Sequence, residues 1–307
     1  MIVLTLGGGL GNQMFQYAFA RKLQKESKDN KLKFSGYHLV GTGNSEKMLF
    51  NLNIVDGVEF CSEDEQTVLE RFQEKKLNVL RYYKKLNRII KGIAPWKVKQ
   101  MTKKGFFTTN TIYDYADYYV TDVPVKYVEG GFQTWKYWQD MMPEICDELK
   151  VKKAPSQENA AIMEEMQNCE SVCVHIRRGD YLAPQFAHLN VCDEKYYLTA
   201  MDKMVKQKPN AVFYIFTNNH EEVEWIKANY PFPDYQVRYV DLNNPDYEEL
   251  RLMYHCKNFI ISNSTYSWWA QLLSDNADKI VMAPSVWNRE MNADNIYMPE
   301  WQIIDVE

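Results

Sequence analysis

Four short apolar, β-branched runs punctuate the second half of the chain: Ser171-Val-Cys-Val-His-Ile176, Val212-Phe-Tyr-Ile-Phe-Thr217, Asn258-Phe-Ile-Ile-Ser262 and Lys279-Ile-Val-Met-Ala283. Helix-patterned segments separate them. Strands that are apolar on both faces and joined through helices belong in a buried parallel sheet, which makes the fold class α/β. The N-terminus starts the same way. Met1-Ile-Val-Leu-Thr-Leu6 runs into Gly7-Gly-Gly9, and Phe15, Phe19, Ala20 and Leu23 then recur at helical spacing, giving strand, glycine turn and helix.

At 307 residues the chain exceeds the roughly 250–300 residues at which one core stops growing, so two domains are expected. The polar, proline-containing stretch Val151–Gln157 reads as the linker, dividing the chain into 1–155 and 156–307. An apolar fraction of 46% suffices for two real cores, and a net charge of −5 argues against a general nucleic-acid surface. Any anion site must be local. Residues 62–104 read as helical and basic. Such a stretch suits a membrane-surface or nucleic-acid helix or a solvated helix face, and Glu63, Asp64, Glu65, Glu70 and Glu74 beside it favour the solvated face. The six cysteines form no C-x-x-C pair and are expected to be reduced thiols. The first six residues are too short for a secretory signal and no apolar run is long enough to span a bilayer, so a cytoplasmic location is expected, with peripheral association left open.

Parallel sheets bind ligands beyond the carboxyl ends of their strands, and each loop there is unusual. Gly7-Gly-Gly-Leu-Gly-Asn-Gln13 opens a helix whose free N–H groups suit an anion or a close backbone approach; it also reads as a plain structural turn. It fails as a dinucleotide fingerprint because Asn12 stands where G-x-G-x-x-G needs its last glycine. Arg177-Arg-Gly-Asp-Tyr181 places two guanidiniums at a strand end, suited to a diphosphate and to the charge of a departing nucleoside diphosphate, or else forming surface ion pairs with Asp180. Asn263-Ser-Thr-Tyr-Ser267 is a strand-to-helix turn whose hydroxyls and N–H groups suit phosphate, or simply cap the helix.

No Asp-x-Asp occurs, and the five histidines show no ligand spacing, so a metal-dependent phosphate site is disfavoured and no cofactor is expected. Walker and nucleophile-elbow motifs are missing too, which removes kinase, ATPase and serine-hydrolase readings.

Three segments together, Gly8-Gly-Leu-Gly-Asn-Gln-Met-Phe-Gln-Tyr-Ala18, His175-Ile-Arg-Arg-Gly-Asp-Tyr181 and Ile261-Ser-Asn-Ser-Thr-Tyr-Ser-Trp-Trp-Ala270, resemble the bacterial α-1,2-fucosyltransferases of glycosyltransferase family 11. The likeness extends through Gly131-Phe-Gln133, Tyr247–Lys257, Met282-Ala-Pro284 and Pro299-Glu-Trp301. It implies the GT-B arrangement of two Rossmann-like domains facing across a cleft, with an N-terminal acceptor-side domain and a C-terminal domain holding the GDP-sugar. It also implies metal-independent, inverting transfer of L-fucose from GDP-β-L-fucose to the 2-hydroxyl of a terminal β-galactose, on lactose or a Gal-GlcNAc or Gal-GalNAc unit. By the same resemblance Arg177 and Arg178 grip the diphosphate beside His175, and Asn263, Ser264, Thr265 and Ser267 donate to phosphate oxygens. Glu249 would read the guanine edge, and Gly8, Gly9, Asn12 and Gln13 would line the acceptor side. Acceptor choice is assigned to residues 30–140. Thr217-Asn-Asn219 departs from the Ser-Asp-Asp of many members, which weakens any role for Asn218 or Asn219.

Inverting transfer calls for a base on the acceptor hydroxyl. Asp180 is the candidate, although an ion pair with an arginine would make it a poorer base; late proton transfer to a phosphate oxygen or water would need none. Two other functions fit parts of the sequence. An NAD(P)-dependent oxidoreductase rests on the glycine turn, and a non-catalytic nucleotide-sugar-binding protein rests on the 21 tyrosines and 8 tryptophans.

Overall fold

The computed structural model describes residues 1–39, 48–87, 89–232 and 235–306. It divides into two compact α/β units, Met1–Leu149 with Asp294–Ile296, and Lys150–Ala293 with Tyr297–Glu307. The division falls a few residues before the 155/156 position read from the linker. The reason is local: Arg251 donates to the carbonyl of Lys153 and Val151 N–H reaches Tyr254 Oη at 3.4 Å, which ties the linker to the second unit.

In the first unit the elements run β1 (Ile2–Thr5), α1 (Leu10–Ser27), β2 (Leu32–Ser35), β3 (Glu59–Phe60), α2 (Glu63–Leu86), α3 (Ile93–Thr102), β4 (Phe106–Phe107), β5 (Lys126–Val128) and α4 (Met142–Leu149). The strands form a parallel sheet in the order β3-β2-β1-β5-β4. From β1 the chain winds outward through β2 and β3, then restarts on the other side at β4 and β5. The point where the winding reverses is therefore between β1 and β5. Buried aromatics dominate this core. Phe19 of α1 stacks on Phe132 at 4.1 Å between ring centroids and 7° between planes, and Phe132 holds a left-handed φ of 49° to reach it. At roughly 1.5–3 kcal/mol per buried large side chain, such packing offsets the local strain.

The second unit runs α5 (Gln157–Asn168), β6 (Glu170–His175), α6 (Glu194–Gln207), β7 (Ala211–Phe216), α7 (His220–Asn229), β8 (Gln236–Tyr239), α8 (Asp246–His255), β9 (Asn258–Ile260), α9 (Thr265–Leu273), β10 (Val281–Pro284) and β11 (Gln302–Ile304). All four runs singled out in the sequence are parallel strands, in the sheet order β11-β10-β9-β6-β7-β8. Val172, Val174, Phe213, Ile215, Ile260 and Met282 pack against Tyr197, Met201 and Met204 of α6 to form its core. Here the winding reverses between β6 and β9. Register aligns Val174 with both Ile215 and Ile260, so the loops after β6, β7 and β9 leave the same carboxyl edge.

Candidate active site

An open parallel sheet takes its ligand where the strand order reverses, beyond the carboxyl ends. In the second unit that position lies between the loop after β6, which carries the two arginines, and the turn after β9, which carries Asn263 to Ser267. In the first unit it lies between the glycine turn after β1 and the loop Glu129–Gly131 after β5.

The arginines are neighbours in sequence and diverge in space. Arg177 Nη2 pairs with Asp180 Oδ1 at 2.7 Å, its Nε is buried without a hydrogen-bond partner, and its guanidinium faces the Tyr181 ring at 5.4 Å. Arg178 turns toward α7, donating Nε to Glu222 Oε2 at 3.0 Å and laying its guanidinium 3.2 Å from the centre of the Trp225 ring. Gly179 permits the turn, with φ 31°; a Cβ there would come within 2.9 Å of the Asn218 side chain. Asn218 accepts from Arg178 N–H at 3.4 Å, and Asn219 caps α7 by accepting from Glu222 N–H at 3.0 Å.

The charge that dominates the site is Arg177's. Burial and this cation together hold His175 down to about 3, so the imidazole is neutral at physiological pH, with Nδ1 2.9 Å from Ser262 Oγ. Glu249, on the first turns of α8, is pushed up to about 8 by burial and by the neighbouring Asp246, while Arg177 pulls it back. No described residue hydrogen-bonds its carboxyl. Tyr266 OH donates to the carbonyl of Asp246, which ties the start of α9 to the start of α8.

The turn after β9 faces partly inward. Asn263 donates to the carbonyls of Leu189 at 2.8 Å and Trp287 at 2.9 Å, and Ser267 Oγ donates to the carbonyls of Ser262 and Ser264 at 3.3 and 3.2 Å. Ser264 caps α9 by accepting from Tyr266 N–H at 3.3 Å. Thr265 opens α9, whose N-terminal end carries a partial positive charge that suits an anion.

In the first unit Gly8 holds φ 75° and a Cβ would meet the Asn12 amide at 2.2 Å, so this position requires glycine. Gly9 precedes α1 as its cap. Gln13 donates to the carbonyl of Gly8 at 3.0 Å, and Asn12 accepts from Gln133 Nε2 at 3.0 Å. The glycine turn is thus braced by side chains of its own helix and of the β5 loop.

Glu129, which sequence reasoning missed, ends β5 beside this turn. It is 8% exposed; Oε1 lies 3.3 Å from His38 Nε2 and Oε2 is buried with no hydrogen-bond partner. A buried carboxylate oxygen left unmatched at a switch point is a functional signal, because leaving it so costs about 1–3 kcal/mol or more. The sequence offered one hint, an acidic residue immediately before Gly130-Gly131. Residues 40–47, part of the stretch assigned to acceptor choice, lie outside the described residues.

Among the described residues the group spaced to hold a metal ion is His220, Glu224 and Asp241, all exposed on the α7 side, where Lys227 already pairs with Glu224 at 2.7 Å. None of the three belongs to the anion-binding loops.

The sequence matches glycosyl transferase family 11 over residues 1–305. The chain belongs to this family. Family 11 relatives include the O-antigen biosynthesis glycosyltransferase WbnK of Escherichia coli, 27% identical across 96% of this chain and 98% of that protein. An alpha-1,2-colitosyltransferase of Escherichia coli is also 27% identical, across 99% of both chains. Human galactoside alpha-(1,2)-fucosyltransferase 1 is 23% identical across 58% of this chain and 52% of its own length. In fold, the chain is similar to the crystal structure of fucosyltransferase NodZ from Bradyrhizobium, with TM-score 0.51 at 12% identity, covering 89% of this chain and 92% of that one. The architecture is therefore of the GT-B class, and the protein is a glycosyltransferase. No helix among the described residues is long and apolar enough to cross a membrane.

Proposed function

We propose that this family 11 enzyme transfers L-fucose from GDP-β-L-fucose to the 2-hydroxyl of a terminal β-galactose, forming an α-1,2 linkage with inversion. The observation that carries the reading is the pairing of an available cation with an unpartnered carboxyl at one switch point. Arg177 offers a guanidinium held only by a half-exposed aspartate, and Glu249 offers a carboxyl that no described residue hydrogen-bonds. A diphosphate fits the first and the N1–H and 2-amino edge of guanine fits the second. The N-terminal end of α9, which Thr265 opens, adds a partial positive charge beside the diphosphate.

In this reading the diphosphate displaces Asp180 from Arg177. The guanidinium then neutralises the charge that builds on the leaving GDP as the anomeric carbon becomes oxocarbenium-like. Neutral His175 orients rather than protonates. Asp180 is the candidate taker of the acceptor proton, since the diphosphate that displaces it from Arg177 leaves its carboxylate in the same loop. The donor is bound without a metal cofactor.

A second donor deserves a direct comparison because of the named colitosyltransferase relative: colitose is fucose without its 3-hydroxyl. The test is kcat/KM for GDP-fucose against GDP-colitose and GDP-mannose with lactose as acceptor. A preference for GDP-fucose supports the reading, whereas a preference for GDP-colitose reassigns the donor within the same site.

A further inference from the structure

Residues 75–113 hold eleven of the chain's 36 Lys and Arg and none of its 41 Asp and Glu. They form the end of α2, its turn and α3, a helical hairpin anchored from beneath by Leu80, Val98, Met101 and Phe106. That anchor uses one side of the hairpin and leaves its tip uncovered. At the tip Ile89 is 82% exposed, Tyr82 62%, Trp96 54% and Ile90 52%. Arg81, Lys85 and Lys91 are exposed, and no ion pair joins them to a carboxylate among the described residues, whereas Lys84 is partly desolvated and feels Asp114.

Two adjacent isoleucines in water are unfavourable, and neither packing nor a fold requirement explains them here. A nucleic acid would reward the cations and gain nothing from aliphatic side chains. An interfacial apolar medium with anionic head groups rewards both, since aliphatic and Trp side chains enter the acyl boundary while Lys and Arg stay at the phosphates. The acidic residues 63–65, 70 and 74 that favoured a plain solvated helix lie toward the opposite end of α2. We infer that the α2–α3 tip is a docking surface for an anionic lipid bilayer, holding the enzyme peripherally at a membrane. Arg88 lies outside the described residues and carries no part of this inference, which stands apart from the donor assignment above.

The test is co-sedimentation of the full chain with vesicles of phosphatidylglycerol and phosphatidylcholine, and with vesicles of phosphatidylcholine alone. Partitioning onto the anionic vesicles only, weakened by added salt, is expected. Lys85→Gln with Lys91→Gln should lower it about thirty-fold, at the usual gain per basic residue near such a surface. Ile89→Asn with Ile90→Asn should lower it too, with the circular dichroism spectrum and melting temperature unchanged. The inference is overturned by no uptake on anionic vesicles, by uptake that neither double variant alters, or by capture of single-stranded RNA at the same salt without vesicle binding.

Discussion

Arg178 donates its Nε to Glu222 at 3.0 Å and so points away from the arginine beside it, which pairs with Asp180. Two residues that the sequence presents as one anion grip have, in the folded chain, different partners: Arg177 pairs with a half-exposed aspartate of its own loop, and Arg178 is anchored to α7 by an ion pair and an aromatic face.

The two should therefore separate on mutation. Arg177→Ala is expected to cost about 2–4 kcal/mol of transition-state stabilisation in kcat/KM. Arg178→Ala should cost less of it and instead lower the melting temperature, because Glu222 and Trp225 lose their partner. Steady-state kinetics beside thermal denaturation decides; equal kinetic losses with unchanged stability would restore the paired grip.

GDP binding should release a proton. Glu249 is protonated in the free enzyme below its raised value of about 8, and guanine donors pair with the ionised form. Affinity should then rise with pH, by up to about tenfold per unit below pH 8, and flatten above it. Calorimetry at pH 6.5 in two buffers of different ionisation heat should count close to one proton more released per GDP by the native enzyme than by Glu249→Gln, the difference removing what the terminal phosphate of GDP itself gives up. A pH-independent affinity would take Glu249 away from the guanine.

For the acceptor proton, Asp180→Asn should lower kcat by about 10²–10⁴ without loss of GDP affinity. Full activity in this variant would favour proton transfer without a side-chain base.

Much of this was legible in the sequence, and the limit has a physical cause. The strands of the second unit are buried on both faces, so Val172 to Val174 and Phe213 to Ile215 announced themselves as apolar runs, and their loops could be placed at one sheet edge. Edge strand β8 alternates exposed and half-buried residues, and β3 and β4 are two residues long, too short to carry a pattern. In the first unit α1 and the helical stretch 62–104 are legible, whereas its strands after β1 are not. Motif reading singles out Arg177 and Arg178, and the family resemblance Glu249, yet side-chain direction is a tertiary property. Nothing in Arg177-Arg178 says which one meets Glu222, and nothing in Asn263 says that its amide serves Leu189 and Trp287. Glu129 escaped because its signal is an unmatched oxygen, which exists only once the surroundings are folded.

The central claim is tested most directly by incubating the enzyme with GDP-fucose and lactose in excess EDTA, following GDP release and isolating the product. The account predicts GDP release coupled to a trisaccharide whose NMR spectrum shows a fucose α-1,2-linked to galactose. It is contradicted if the folded enzyme binds no GDP-sugar, or if transfer stops in EDTA and returns only with a divalent ion.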